Sequence, residues 1–178
     1  MFAMLLSAQA AQADFKSSFS FSKFSYSVAA WFRVKCPEDS VLSICYNYSH
    51  INKYLRKPNL AITPIEEGAG WNRYRYVYTY IVYSCSLTFR RDMVRDSGLL
   101  RFRLLDVKST RSAFPTVANS WGYYRVDAIP GTDSAQFFYR QTTALTKPIN
   151  ILYATVIRFE TNGFLRRLLQ YIKAYDVP

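Results

Sequence analysis

The stretch RYRYVYTY, residues 73–80, alternates without a break. Successive side chains of an extended chain point to opposite faces, so Tyr74, Tyr76, Tyr78 and Tyr80 share one face while Arg73 and Arg75 open the other. Four phenol rings on one side of a strand form a packed core, a ligand wall or a stacking platform. The flanking sequence narrows the choice, because extended patterning continues from 60 to 145. LAITPIE carries a proline and reads as an edge strand. The tyrosine-rich strand over 72–84, then SLTFRRDMVR and LLRFRLLDVK, follow, the last after the turn residues DSG at 96–98. STRSAFPTVAN (109–119) is a longer loop, and SWGYYRVDAI and SAQFFYRQTTAL flank the tight turn PGTD. Upstream, Phe24, Tyr26, Val28, Ala30, Phe32 and Val34 share one face, which makes seven strands in all. No helical segment separates strands two to seven, so neighbours are expected to be antiparallel.

Helical signals bracket this block. KCPEDSVLSICYN places a proline and two acidic residues at a helix start. SHINKYLRK spaces Ile51, Tyr54 and Leu55 helically and ends at Pro58. The tail, 149–175, puts Ile157, Phe164, Leu165, Leu168, Ile172 and Tyr175 on one stripe, with Arg158, Arg166, Gln170 and Lys173 opposite. The stripe keeps its phase across TNG at 161–163, so the sequence predicts one helix of ~27 residues, about 40 Å long.

The 178 residues suffice for one domain with a substantial core. There are 23 Lys and Arg against 12 Asp and Glu, a net charge of +11 and a pI near 9.7. Such a balance favours anionic partners or simply a solubilising shell. Residues 14–23, DFKSSFSFSK, read as a loose lead-in, and 1–23 as a leader ahead of a domain over 24–178. Apolar residues 2–6 and Ala-Gln-Ala at 8–10 or 11–13 have the form of a remnant export signal, although no basic residue precedes the short apolar run. That points to a secreted or periplasmic protein, with a cytoplasmic one as the alternative. A helix from Pro37 through Cys45 separates Cys36 from Cys45 by roughly 13 Å, beyond the ~7 Å that a disulfide spans. Cys85 is free to meet either of them or neither, and buried free thiols are expected. No segment reaches the ~18 apolar residues of a membrane span.

Strand, two short helices, six antiparallel strands and a long amphipathic C-terminal helix describe a curved sheet around a rod, with room left between them. WFRVKCPEDSVLSICYNYSHINKYL resembles the first strand and following helices of the START-like helix-grip superfamily (SRPBCC) of polyketide cyclase/dehydrase and lipid-transport proteins. SWGYYRVDAIPGTDSAQFFYRQTTAL resembles that group's Gly-x-aromatic strand, GT turn and last strand, and KPINILYATVIRFETNGFLRRLLQYIKAY its Pro-led terminal helix. Cys45 and Tyr46 stand where an aromatic-Asp pair is usual there. The resemblance covers about 26–176 and implies an α+β helix-grip fold with seven strands, plus a cavity for a hydrophobic small molecule such as a lipid, a quinone or an aromatic. Tyr76, Tyr78, Tyr80, Phe102, Tyr124, Phe138, Ile157 and Leu165 are the candidates it implies for the cavity wall, with access past the 37–57 helices and the 109–119 loop. A polyketide-type cyclase or dehydrase is the enzymatic alternative, and a protein whose interior is filled by its own side chains is a third. A register error of one residue would move the tyrosines to solvent.

Other chemistry finds little support in the residues. His50, the single histidine, has no nucleophile signature near it. One histidine and three scattered cysteines show no metal-ligand spacing. GAG at 68–70 and GT at 131–132 lack the surroundings of a phosphate loop. No cofactor is implied. Asp106, Asp127 and Glu160 are the acid–base candidates, the first two expected at strand ends and Glu160 paired with Arg158 or a lysine. Basic residues in FRRDMVR, RFR and FLRRLLQYIK suit an anionic membrane surface better than nucleic acid, for which no motif appears, or else lie exposed on the convex face of the sheet.

Overall fold

The computed structural model describes residues 15–80, 83–110 and 115–175, without the side chains of Tyr80 and Tyr83. Strand β1 (Lys16–Phe21) is followed by β2 (Ser25–Val34) and the short helices α1 (Glu38–Tyr46) and α2 (Tyr48–Tyr54). Six strands come next: β3 (Leu60–Gly68), β4 (Trp71–Tyr80), β5 (Tyr83–Val94), β6 (Leu99–Ser109), β7 (Val117–Ala128) and β8 (Ala135–Leu145). Helix α3 (Ile151–Lys173) closes the chain. The strands form one antiparallel sheet in the order β1-β2-β8-β7-β6-β5-β4-β3.

The sheet has eight strands, not seven. The extra strand is β1, which lies where a loose lead-in was expected and within the stretch read as a leader; the signal motif itself, at 2–13, lies outside the described residues. β1 pairs along its length with β2, from Lys16 opposite Trp31 to Phe21 opposite Tyr26. Its odd positions, Phe19 and Phe21, are half-buried and its even positions exposed, which is strand periodicity in a polar sequence. The tyrosine-rich strand is also shorter than 72–84: Tyr80 pairs with Tyr83, so Tyr83 and Ser84 already belong to β5. β3 is an edge strand, as its proline requires, with a bulge between Pro64 and Glu66. Gly98 follows the 3-10 turn at Arg95–Ser97 with φ 58°, where a Cβ would meet the Val126 carbonyl oxygen at 2.0 Å.

The core is continuous between the sheet's inner face and the helices. Phe32 and Phe137 stack with ring centroids 4.5 Å apart, and Val126, Leu165, Leu168 and Ile172 are fully buried in the same cluster. Val41, Ile44 and Ile51 close that end from α1 and α2. Burying one such side chain contributes about 1.5–3 kcal/mol. α3 runs as one helix through Gly163, its N-terminus capped by the Asn150 side chain, which accepts from the Tyr153 amide at 2.8 Å. The sheet wraps around it: Arg158 and Arg166 of α3 sit over the Phe21 and Phe15 rings at the β1 edge. Leu60, on the opposite edge strand β3, faces the same hollow as α3. Cys36, Cys45 and Cys85 are free and buried.

Candidate functional site

The C-terminal half of α3 is packed against the sheet, but its N-terminal half stands off it. A cavity of about 440 Å³ remains between the two, above the ~300 Å³ at which small-ligand sites begin. Its walls come from opposite sides: the inner faces of β2 to β8, the Leu55–Lys57 segment after α2, residues 115–117, and α3 from Tyr153 to Arg167. Two larger grooves, of about 730 and 570 Å³, lie on the outer face of the sheet. Neither has a wall contributed by α3, so neither encloses a ligand as the inner cavity does.

The inward register is set by alternation. On β4, Tyr74, Tyr76 and Tyr78 point in, while Trp71, Arg73 and Arg75 point out. Tyr76 and Tyr78 line the cavity, whereas Tyr74 is fully buried beside it, its hydroxyl 3.3 Å from the Tyr46 carbonyl oxygen. Phe102 and Tyr124, from β6 and β7, also line the cavity, in ring contact at 5.5 Å, and Ile157 faces them from α3. The Tyr80 side chain lies outside the described residues. Two expected wall residues sit elsewhere. Phe138 is on the outer face, in the groove beside Trp31 and Arg140, because β8 turns its odd positions inward: Phe137 is in the core and Tyr139 on the cavity wall. Leu165 is fully buried in the packed end and does not reach the hollow.

The structure adds residues that the sequence reading did not single out. Tyr26, Tyr54 and Tyr139 bring further rings to the wall. A chain of neutral polar groups runs beside them: Tyr139 Oη donates to Gln141 Oε1, and Gln141 Nε2 donates to Ser120 Oγ and Thr143 Oγ1, each at 3.0 Å. Ser120 and Thr143 are themselves bonded and buried. Burial raises the Tyr54, Tyr76, Tyr124 and Tyr139 hydroxyls above the ordinary phenol range, against a smaller opposing effect of Arg91 on the first three. At neutral pH the wall therefore offers O–H groups and no phenolate.

Arg91 is the cation of this interior. It is buried on the inner face of β5, donating from Nε to Asn72 Oδ1 at 2.9 Å, from Nη1 to the Cys45 carbonyl at 2.8 Å and from Nη2 to the Tyr46 carbonyl. Its guanidinium lies 4.3 Å from the centre of the Tyr74 ring. The last turn of α1 has no basic residue of its own, so a side chain from the sheet supplies the charge that its carbonyl end favours. Burial pushes the Cys45 thiol up to about 12 despite the neighbouring guanidinium. The cavity edge holds the remaining charges: Glu160 pairs with Lys57 across it, and Arg167 has a buried Nε without a hydrogen-bond partner.

None of the interior positions carries a carboxylate among the described residues; Glu160, at the edge, is the one acidic lining residue. Asp127 points outward and accepts from Arg125 Nε at 2.8 Å, and Asp106 is exposed on β6. Glu160 is paired with Lys57 rather than with Arg158. His50 faces Tyr171 and Tyr175 outside the cavity, its Nδ1 2.9 Å from the Tyr171 hydroxyl. Among the described residues no group of three or more His, Cys, Asp or Glu is arranged to hold a metal ion. Among them, too, no helix is long and apolar enough to cross a membrane.

No family model matches the sequence, and no curated protein is detectably similar to it. Solved structures are similar in three dimensions. The Zhui aromatase/cyclase from Streptomyces sp. R1128 superposes with a TM-score of 0.67 at 15% identity, covering 84% of this chain and 94% of that one. A STAR-related lipid transfer protein fragment from Xanthomonas axonopodis gives 0.62 at 12% identity, over 89% and 98% of the two chains. A START superfamily protein from Mycobacterium smegmatis gives 0.60 at 11%, over 81% and 94%. With its antiparallel sheet, two short helices after β2 and a long terminal helix over the inner face, the chain has the START-like helix-grip fold.

Proposed function

We propose that the protein binds, and transfers, a hydrophobic small molecule held between the sheet and the N-terminal half of α3. The observation that carries this reading is the cavity of about 440 Å³, walled by aromatic rings and by one cluster of neutral hydroxyl and amide groups around Gln141. A lipid, a quinone or a polycyclic aromatic would lay its apolar body against Tyr76, Phe102 and Tyr124. Its oxygen substituent would face the Ser120–Gln141–Thr143 cluster, where orientation is set by hydrogen bonds rather than by charge. The similar structures include both a lipid transfer protein and an aromatase/cyclase, which supports a ligand-binding interior. A cyclase would need a group that moves protons at the substrate. The carboxylates Asp106 and Asp127 point away from the hollow, Glu160 at its edge is paired with Lys57, and the neutral wall tyrosines can give a proton but not take one, so binding is the reading the geometry favours.

Native mass spectrometry of the purified protein, followed by titration with a fluorescent fatty-acid analogue and a fluorescent polycyclic aromatic, tests the proposal. A co-purified or acquired apolar ligand at one per chain is expected. Cys85→Phe, which places a ring in the hollow, should abolish uptake while the fold persists. A protein that carries nothing and takes up neither probe would overturn the reading.

A further inference from the structure

The exposed large hydrophobic side chains are concentrated in one place. Of nine among the described residues, five are Phe24, Ile151, Leu152, Val156 and Phe159. Four of these lie in the first nine residues of α3, a run of about 12 Å. Ile151, Leu152 and Phe159 are 88, 69 and 76% exposed; Leu152, Val156 and Phe159 share the helix face opposite the buried Leu165 and Leu168, and Ile151 stands at the open N-terminal end of the helix. Phe24 joins them through the β1–β2 turn: the Ile149 amide donates to the Lys23 carbonyl at 2.8 Å, and the Leu145 amide to the Phe24 carbonyl at 2.7 Å. Val156 belongs both to this patch and to the lining of the cavity, so the patch is the outer side of the cavity's lip. A soluble surface rarely gathers large apolar groups in this way without a partner.

The charge around the lip is as one-sided as its hydrophobicity. Residues 22–25 and 146–160 carry Lys23, Lys147 and Arg158, against the single carboxylate of Glu160, which is already paired with Lys57. We infer that this lip docks on an anionic lipid bilayer, with Ile151, Leu152 and Phe159 entering the boundary between headgroups and acyl chains and the surrounding lysines and arginine at the level of the phosphates. An apolar stripe bordered by cations on a helix that lies flat against the surface is the arrangement that binds such an interface. A second copy of the chain docked through the same patch would bring these cations face to face, which opposes that occupant. The inference goes beyond the binding reading and does not depend on it, because docking is measured whether or not the cavity is filled.

An environment-sensitive fluorophore on Leu152→Cys provides the test, since the three native cysteines are buried. The label should emit as a water-exposed dye in buffer, shift to the blue on vesicles of phosphatidylcholine with phosphatidylserine, and return towards its aqueous emission in high salt. Vesicles of phosphatidylcholine alone should give a much weaker response. Phe159→Ser should reduce vesicle affinity by roughly tenfold, as expected for withdrawing a large aromatic ring from the bilayer interface. Lys23→Gln should weaken it about fivefold, while Trp121→Ser, on the far face of the sheet, should leave it unchanged. A label already blue in buffer at every protein concentration would show the patch covered by the chain itself, residues 1–14 included, and would overturn the inference. So would a blue shift that appears only as protein concentration rises, the mark of a second copy, or no response to anionic vesicles.

Discussion

The two halves of α3 are built from the same kinds of residue and end in opposite environments. In the C-terminal half, Leu165, Leu168, Leu169 and Ile172 meet Phe32, Phe137 and the short helices, and the interior there is solid. In the N-terminal half, Ile151, Leu152 and Phe159 face outward, while Val156 and Ile157 border a hollow. The difference arises on the sheet. Opposite the packed half, β2 and β8 present Phe32, Phe137 and Val34; opposite the open half, they present Tyr26, Gln141 and Thr143. Helices α1 and α2 add Val41, Ile44 and Ile51 at the packed end and only the Leu55–Lys57 segment near the other. Close packing therefore resides at one end of the helix and the cavity at the other.

Breaking the packed end should cost most. Leu168→Ala removes a fully buried side chain where neighbours cannot collapse freely, and should lower unfolding stability by about 2–5 kcal/mol. Leu152→Ala, at the open end, should change it by no more than about 0.5 kcal/mol. Urea denaturation of the two variants side by side checks the contrast; equal losses would mean that the open half is packed after all.

Arg91 ties the open half to the closed one. Arg91→Met leaves the Cys45 carbonyl and Asn72 Oδ1 buried without their donor, and the Tyr46 carbonyl with only the longer bonds from Asn72 Nδ2 and the Tyr74 hydroxyl. The expected loss is about 1–3 kcal/mol. Amide hydrogen exchange should rise first at the C-terminal end of α1 and along the Asn72 strand, and little in α3. A variant as stable as the parent, with unchanged exchange, would show that the guanidinium serves the cavity rather than α1.

The same operation should have opposite signs at the two ends. Filling the hollow with Cys85→Phe should leave stability unchanged or raise it by about 0.5–2 kcal/mol. Val126→Phe, where the side chain is fully buried, should cost about 1–3 kcal/mol through overpacking. Melting curves for the two variants decide the matter. A large loss from Cys85→Phe would mean that no usable space exists beside β5.

Much of this arrangement was legible in the alternation of the strands. The inward set of β4 follows from RYRYVYTY alone, since Arg73 and Arg75 go out and the tyrosines must go in. The same argument, applied to β8, places Phe138 outside: Gln136 and Arg140 share its parity, and Arg140 is exposed. FRRDMVR reads as a surface cluster, yet in a strand with one face buried two adjacent arginines cannot both reach water, and Arg91 is the one that turns inward. β1 was hidden because serine fills half of its positions, and the Phe19 and Phe21 alternation is short. Which half of α3 would be packed was not legible at all. The apolar stripe runs along both halves, and only the tertiary placement of α1 and α2 distinguishes them.

The smallest expected effect concerns the packed end's rim, where His50 sits between Tyr171 and Tyr175 with ring centroids 5.8 and 5.2 Å away. Burial lowers its pKa below the ordinary 6.5, and the positive charge of Lys53 lowers it further. Above that value the imidazole is neutral in both folded and unfolded chains, so it contributes no pH dependence. As the pH falls through 6.5, the unfolded chain takes up the proton first, and stability declines until the folded imidazole is protonated too. His50→Gln removes the titrating group, so the variant should lose less stability than the parent when urea midpoints are compared at about pH 7 and about pH 5. Cavity uptake should be identical in the two proteins across that range, because His50 does not line the hollow. If instead the variant's ligand affinity changed with pH differently from the parent's, the two ends of α3 would be coupled, and their division into a packed half and an open half acting separately would not hold.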